Sequence, residues 1–275
     1  MHSLSGATET PNNHHDGILA LDVGNTFTKW FFYSHPLAPA CEEKGIECQS
    51  RGQFLSAKLD TETLLLLQSE LQGKSIQQVL IASVRALNAL PKLREALALR
   101  GILLTPITTE SQRNGLKNSY ADHTRLGVDR WLAMLGIWAR CHRAFCVVDA
   151  GTALTIDFVD ENGQHLGGYI IPGIRTMLAS LNMATELIGE LACSAGSEAE
   201  LRPGTSTREA VQHGALLSLV GAVEHAIQQA PAIHQTEMIS VIGGGDAKLL
   251  QRFLGSHWQL RETLVADGLI QYARV

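Results

Sequence analysis

The chain has 275 residues, 18% of them charged and 45% hydrophobic, with a formal net charge of −5. That length accommodates two domains with cores of their own, and no apolar run reaches the roughly 20 residues of a membrane helix. The acidic balance, without a basic stripe, excludes a general nucleic-acid binder. Five cysteines without a CxxC pair read as free thiols in a reducing cytoplasm, not as a disulfide or zinc framework.

Residues 1–16 are polar, hold Pro11, Asn12, Asn13, His14 and His15, and lack the basic start and apolar stretch of a signal peptide. They read as a disordered leader. The apolar run 18–21 then predicts a buried strand, and 30–33 a second strand pairing back on it. A third strand is expected within 36–58. A leucine-rich helix over 61–72 should end at Gly73, followed by a strand over 79–84, a helix over 91–100 stopped by Gly101, and a strand from Ile102. Three strands before the first helix depart from a Rossmann unit, which begins βαβ.

Residues 111–126 are polar, with turn signals at Asn114-Gly115 and Asn118, and read as a loop. A helix is expected over 131–142. The pattern of the first half then starts again. An apolar strand begins at Phe145 and a hairpin runs to Val159. After a turn at Asn162-Gly163 come a strand over 167–171 and a helix over 174–183. A long helix over 207–229 takes Val211, Ala215, Leu219, Ala222 and Ile227 as its buried stripe. A strand over 237–242 meets Gly243-Gly244-Gly245-Asp246 before a helix at Ala247.

The repeat is also chemical. Asp22-Val23-Gly24-Asn25-Thr26-Phe27-Thr28-Lys29 and Asp149-Ala150-Gly151-Thr152-Ala153-Leu154-Thr155-Ile156-Asp157 each follow a predicted strand. Glycine lets the backbone approach a bulky anion, turn N–H groups and Thr hydroxyls donate to phosphate, and an Asp can hold a hydrated divalent metal. Two such loops predict two similar half-domains facing one nucleotide, with Lys29 either a phosphate-binding charge or a solvated strand-edge lysine. The 243–245 glycines are a third loop of this kind. Asp129, beside Arg130, is either a general base with an anion-holding partner or a helix cap with a solvated arginine.

Taken in order, 22–29, Gly127-Val128-Asp129-Arg130, 149–155 and Gly167-Gly168-Tyr169-Ile170-Ile171-Pro172-Gly173 resemble the motifs of type III pantothenate kinase, from about Gly17 to the C-terminus. The resemblance implies an α/β protein of the acetate and sugar kinase/Hsp70/actin superfamily. It would have two RNase H-like half-domains, 17–125 and 126–275, with a nucleotide cleft between them. It implies ATP-dependent phosphorylation of pantothenate in the cytoplasm, by a homodimer that holds pantothenate at the subunit interface.

By the same resemblance, Asp22 to Lys29 and Thr152 bind ATP, with Asp22 on magnesium through water. Asp149 takes a monovalent cation, potassium or ammonium. Asp129 accepts the substrate proton, and Tyr120, Gly127, Val128, Arg130 and Thr207 hold pantothenate. Ser206 replaces the family's usual Asn, and Thr205 competes with Thr207 for the substrate role. Other kinases or phosphatases of the fold, and a non-catalytic regulator related to Bvg accessory factor, are the alternatives. Helices 131–142 and 207–229 carry surplus apolar residues (Trp131, Trp138, Leu216, Leu217, Val220), which the resemblance assigns to a two-fold dimer surface.

Overall fold

In the computed structural model, residues 16–34, 48–60, 75–184, 200–230 and 238–273 are described. The expected leader, apart from its last residue, and the helix over 61–72 lie outside these ranges. Strands β1 (Asp16–Val23), β2 (Phe27–Ser34), β3 (Ser50–Leu55), β4 (Ser75–Ser83) and β5 (Leu103–Ile107) form one sheet in the order β3-β2-β1-β4-β5. Asp16 is therefore the first residue of β1, paired with Ser75, and does not belong to a leader. The neighbours β1/β2 and β2/β3 are antiparallel, while β1/β4 and β4/β5 are parallel.

Strands β8 (Phe145–Ala150), β9 (Ala153–Val159), β10 (His165–Pro172), β11 (Ile239–Gly243) and β12 (Gln259–Leu260) repeat that order as β10-β9-β8-β11-β12, with the same senses. The duplicated sequence thus encodes a duplicated α/β topology, with each Asp-x-Gly turn at the tip of its sheet's central antiparallel hairpin. The first sheet packs one face with helix α1 (Leu90–Ala98) through Leu93 and Leu97. The second packs one face with α3 (Ile174–Ala184), α4 (Thr207–Gln228) and α5 (Ala247–Leu254).

Between the other two faces lie α2 (Val128–Cys141) and α6 (Leu264–Leu269). Their side chains share one core with Ile18, Ala20 and Leu80 of the first sheet and with Phe145 and Val147 of the second. The two helices cross backbone to backbone. A Cβ on Gly136 would lie 2.8 Å from the Gly268 nitrogen, and one on Gly268 would lie 2.0 Å from the Leu132 carbonyl oxygen. Only glycine permits that approach.

This placement corrects the reading of the surplus apolar residues. Trp131, Trp138, Leu216 and Val220 are buried within the chain, and only Leu217 stays exposed, at 56%. An all-round apolar helix lies here between two sheets, and losing Trp131 would cost about 3–5 kcal/mol.

Three further expectations shift. Helix α2 starts at Val128, with Gly127 at the cap position, so Asp129 sits in its first turn and is not the N-cap residue. The polar segment 111–126 contains a small hairpin, β6 (Gln112–Arg113) and β7 (Leu116–Lys117). Asn114 and Gly115 at its turn both have positive φ, 50° and 88°. Helix α4 buries Ala215 and Leu219 as expected and packs Val211 and Ile227, partly buried, against the same core. Its fully buried side is completed by His213, Leu216, Val220, Val223 and Ala226, and not by Ala222. Among the described cysteines, Cys48, Cys141 and Cys146 are free thiols, and no described helix is long and apolar enough to cross a membrane.

Candidate active site

The two Asp-x-Gly turns face each other across a cleft of about 420 Å³, lined by Asp22, Gly24, Asn25, Thr26, Phe27 and Lys29 on one side and by Asp149, Gly151, Thr152 and Thr155 on the other. Asp129 joins them from the first turn of α2, and Gly245 from the turn after β11. Three carboxylates from three segments distant in sequence therefore meet in one space. Two of the predicted ATP residues do not line it: Val23 is in the core, and buried Thr28 makes a hydroxyl–hydroxyl bond to Ser56 at 3.1 Å.

Each turn is held from behind. The Ser56 hydroxyl donates to the Gly24 carbonyl at 2.8 Å, and the Gly24 N–H donates to the Phe27 carbonyl at 3.1 Å. In the second turn the Gly151 N–H donates to the Ala153 carbonyl at 2.9 Å. The Thr152 carbonyl accepts from the Gly173 N–H at 3.0 Å and from the Thr176 hydroxyl at 2.6 Å. The glycine turn braces this site too. Gly244 has φ of 95°, and a Cβ there would lie 2.3 Å from the Ala150 carbonyl oxygen and 2.5 Å from Asp149 Oδ1.

Electrostatics follow from the crowding. Burial pushes the Asp22 carboxyl up to about 7, opposed by Lys29 and reinforced by Asp149 and Asp129. Asp149 is also held above the usual carboxylate range, by burial first, with Lys29 opposing and Asp129 adding. Asp129 is raised mainly by burial, against the Arg130 backbone N–H, which donates to Asp129 Oδ1 at 2.9 Å. Carboxylates so placed favour a cation. Among the described residues, no three His, Cys, Asp or Glu side chains could hold a metal between them, so a metal here would draw its remaining ligands from water and phosphate. This is how magnesium is usually held, and the residues fit it.

Behind Asp129, Arg130 is buried, with three of its five N–H donors engaged. Its Nε and Nη2 donate to Asp157 Oδ2 at 2.8 Å and Oδ1 at 2.6 Å, and Nη1 donates to the Tyr120 hydroxyl at 3.0 Å. The predicted substrate residues Tyr120 and Arg130 are thus joined, and Gly127 leaves room for the Asp129 carboxylate, 2.6 Å from where its Cβ would be. Val128 packs in the core. Thr207 is not brought to this cleft: it lines a separate groove between α3 and α4 with Met177, Leu181 and Val211. Sequence reasoning gave no role to Gln53, Val84 and Arg175, which line the cleft, or to Asp157 and His165. Asp157 stood inside the repeated motif, the one signal available.

A family model of type III pantothenate kinase matches residues 18–229. A type III pantothenate kinase of Marinobacter nauticus is 36% identical over 257 residues, covering 93% of this chain and 98% of that protein. One of Ectopseudomonas mendocina is 37% identical over 238 residues, covering 85% and 90%. Among solved structures, a Campylobacter jejuni protein assigned as a Baf family transcriptional activator superposes with a TM-score of 0.54 at 18% identity, covering 92% of this chain and 97% of that one. A Sinorhizobium meliloti protein assigned as a 2-dehydro-3-deoxygalactonokinase gives 0.52 at 14% identity, over 92% and 97%. At those identities the structural likeness speaks for the fold alone.

Proposed function

The chain belongs to the type III pantothenate kinase family, and from that premise we propose that it transfers the γ-phosphoryl group of ATP to pantothenate, giving 4′-phosphopantothenate for coenzyme A synthesis. The observation that carries this reading is the convergence of Asp22, Asp149 and Asp129 on one cleft between two sheets of the same topology. A non-catalytic regulator would need no such trio of carboxylates. We assign the two half-domains to residues 16–125, counted from the start of β1, and 126–275.

In this assignment Asn25, Thr26 and Lys29 receive the ATP phosphates, with backbone N–H groups of the first turn, while Thr152 meets the nucleotide from the second. Asp22 would hold magnesium through water, and Asp149 would hold a potassium or ammonium ion. Magnesium, when bound, neutralises charge on the phosphate oxygens. Asp129 takes the proton of the pantothenate hydroxyl as that oxygen bonds to the γ-phosphorus and the bond from phosphorus to the ADP oxygen breaks. An alcohol is too weakly acidic to ionise beforehand, so the transfer accompanies phosphorus–oxygen bonding. Burial of Asp129 strengthens it as an acceptor, though most of the rate comes from positioning and charge neutralisation.

Tyr120 and Arg130 present donors to the acid. Thr207, away from this cleft, fits a homodimer in which it reaches the partner's acceptor site; exposed Leu181 lines the same groove, and exposed Leu217 stands on the same helix as Thr207. The enzyme acts in the cytoplasm. ATP consumption that requires pantothenate, measured with and without potassium or ammonium, tests the reaction and the cation together. Asp149→Ala should blunt the monovalent-ion response, and light scattering should give twice the 29.8 kDa chain mass. Turnover without pantothenate, or with a sugar in its place, would move the chain to another acceptor.

A further inference from the structure

Five side chains behind Asp129 form one continuous polar chain. Asp157 accepts three hydrogen bonds: from Arg130 Nε at 2.8 Å, from Arg130 Nη2 at 2.6 Å and from His165 Nε2 at 2.9 Å. An ionised carboxylate engaged bidentately by arginine can only accept, so Nε2 is the donor there. The other ring nitrogen, Nδ1, meets the Ser119 hydroxyl at 3.0 Å. The His165 ring stacks on Tyr120, with centroids 6.0 Å apart and planes 18° apart, and the Tyr120 hydroxyl accepts from Arg130 Nη1. Arg130, Asp157 and His165 are at most 5% exposed, whereas Tyr120 is only half-buried.

The surroundings are shaped around this pair. A Cβ on Gly168 would fall 2.4 Å from Asp157 Oδ1 and 2.9 Å from Arg130 Nη2, so β10 approaches the ion pair with bare backbone. The Tyr120 segment is fixed to the second sheet at a separate point, where the Lys117 N–H donates to the Gly163 carbonyl at 2.8 Å. A buried ion pair adds little stability over an apolar core, but it fixes orientation, and here it engages three of the five Arg130 N–H donors and leaves one on Nη1 for a ligand.

We propose that Asp157 and His165 are positioning residues for acceptor binding, holding Arg130 Nη1 and the Tyr120 hydroxyl as one preset donor pair for the carboxylate of the acid substrate. Asp157 sets the guanidinium plane, and His165, pinned between Asp157 and Ser119, sets the Tyr120 ring. Neither touches the reacting atoms. This rests on the reading above that Tyr120 and Arg130 face the acceptor.

The test is His165→Gln, with Asp157→Asn as the second variant, each checked by thermal unfolding. Initial rates give KM for acceptor and for ATP separately, and crystal structures give the Tyr120 position. The expected result is an acceptor KM raised about 10-fold or more, an ATP KM within twofold of wild type, and a Tyr120 hydroxyl displaced from Arg130 Nη1. A folded His165→Gln enzyme with unchanged acceptor KM and Tyr120 in place would overturn the proposal. So would equal losses for ATP and acceptor, which a merely structural role produces. Wild-type protein without pantothenate-dependent turnover would count against the functional reading alone. The displacement of Tyr120 would then decide the positioning role by itself.

Discussion

The turns at the ends of β1 and β8 occupy the same place in two sheets of one topology, yet they are built for different work. Across from Asp22 in the strand register stands Lys29, and across from Asp149 stands Thr155. The first turn is one residue longer and projects Asn25, Thr26 and Phe27 into solvent, with a single serine behind it. The second is shorter and tied down by Gly173, Thr176 and the close-packed Gly244. Duplication preserved the frame and the aspartate, while charge and rigidity diverged. One turn can wrap a polyanion, and the other offers a fixed carboxylate.

The largest effect should come from the carboxylate that belongs to neither turn. Asp129→Asn is expected to fold and bind ATP but to lose about 10²–10⁴-fold in pantothenate-dependent kcat. Near-normal turnover would return catalysis to the two turns. Next, Gly244→Ala should destabilise the second turn by about 2–4 kcal/mol in denaturant titration, because strain at positive φ adds to the clash with Ala150. Gly101→Ala, with φ of 73° and open space around it, should cost only about 1–2 kcal/mol. Equal costs would mean that the turn is not braced as described.

Lys29→Thr, which copies the second turn's residue into the first, should weaken ATP binding about 10–100-fold by calorimetry and leave the fold intact. An unchanged affinity would erase the proposed division of labour. The smallest effect is on pH. Asp22 titrates near 7 in the folded chain, above its ordinary value of 3.8, so the folded state holds more protons than the unfolded state between those values. Stability of the ligand-free protein should therefore fall as pH rises from about 4 to about 7. Asp22→Asn should flatten that slope in melts across the range, and a slope unchanged by the substitution would assign it elsewhere.

Much of this could be read from the residues. The doubled Asp-x-Gly motif after an apolar run gave the doubled hairpin, because a buried strand and a glycine turn are both local signals. Asp129 and Arg130 were found through a motif, but the buried partner of Arg130 was not. Asp157 lies 27 residues away on another element, and though it closes the second repeated motif, nothing local names Arg130 as its partner. The two-residue strands β6 and β7 and the six-residue α6 are too short to show a period. The stripe of α4 is only partly legible because its apolar residues surround the helix, leaving tertiary packing to choose which of them are fully buried. Thr207 was placed near the substrate by resemblance, and in a single chain it lies elsewhere.

The return of α6 to the first sheet has a consequence for synthesis on the ribosome. Leu264, Val265, Ala266, Leu269 and Ile270 share one core with Ile18, Ala20, Leu80 and Ala82 of β1 and β4. A nascent chain that has already emitted all five strands of that sheet, and α2 after them, still lacks part of the cover over this apolar face until residue 270 has left the exit tunnel. For this protein the first half made is among the last to be sealed.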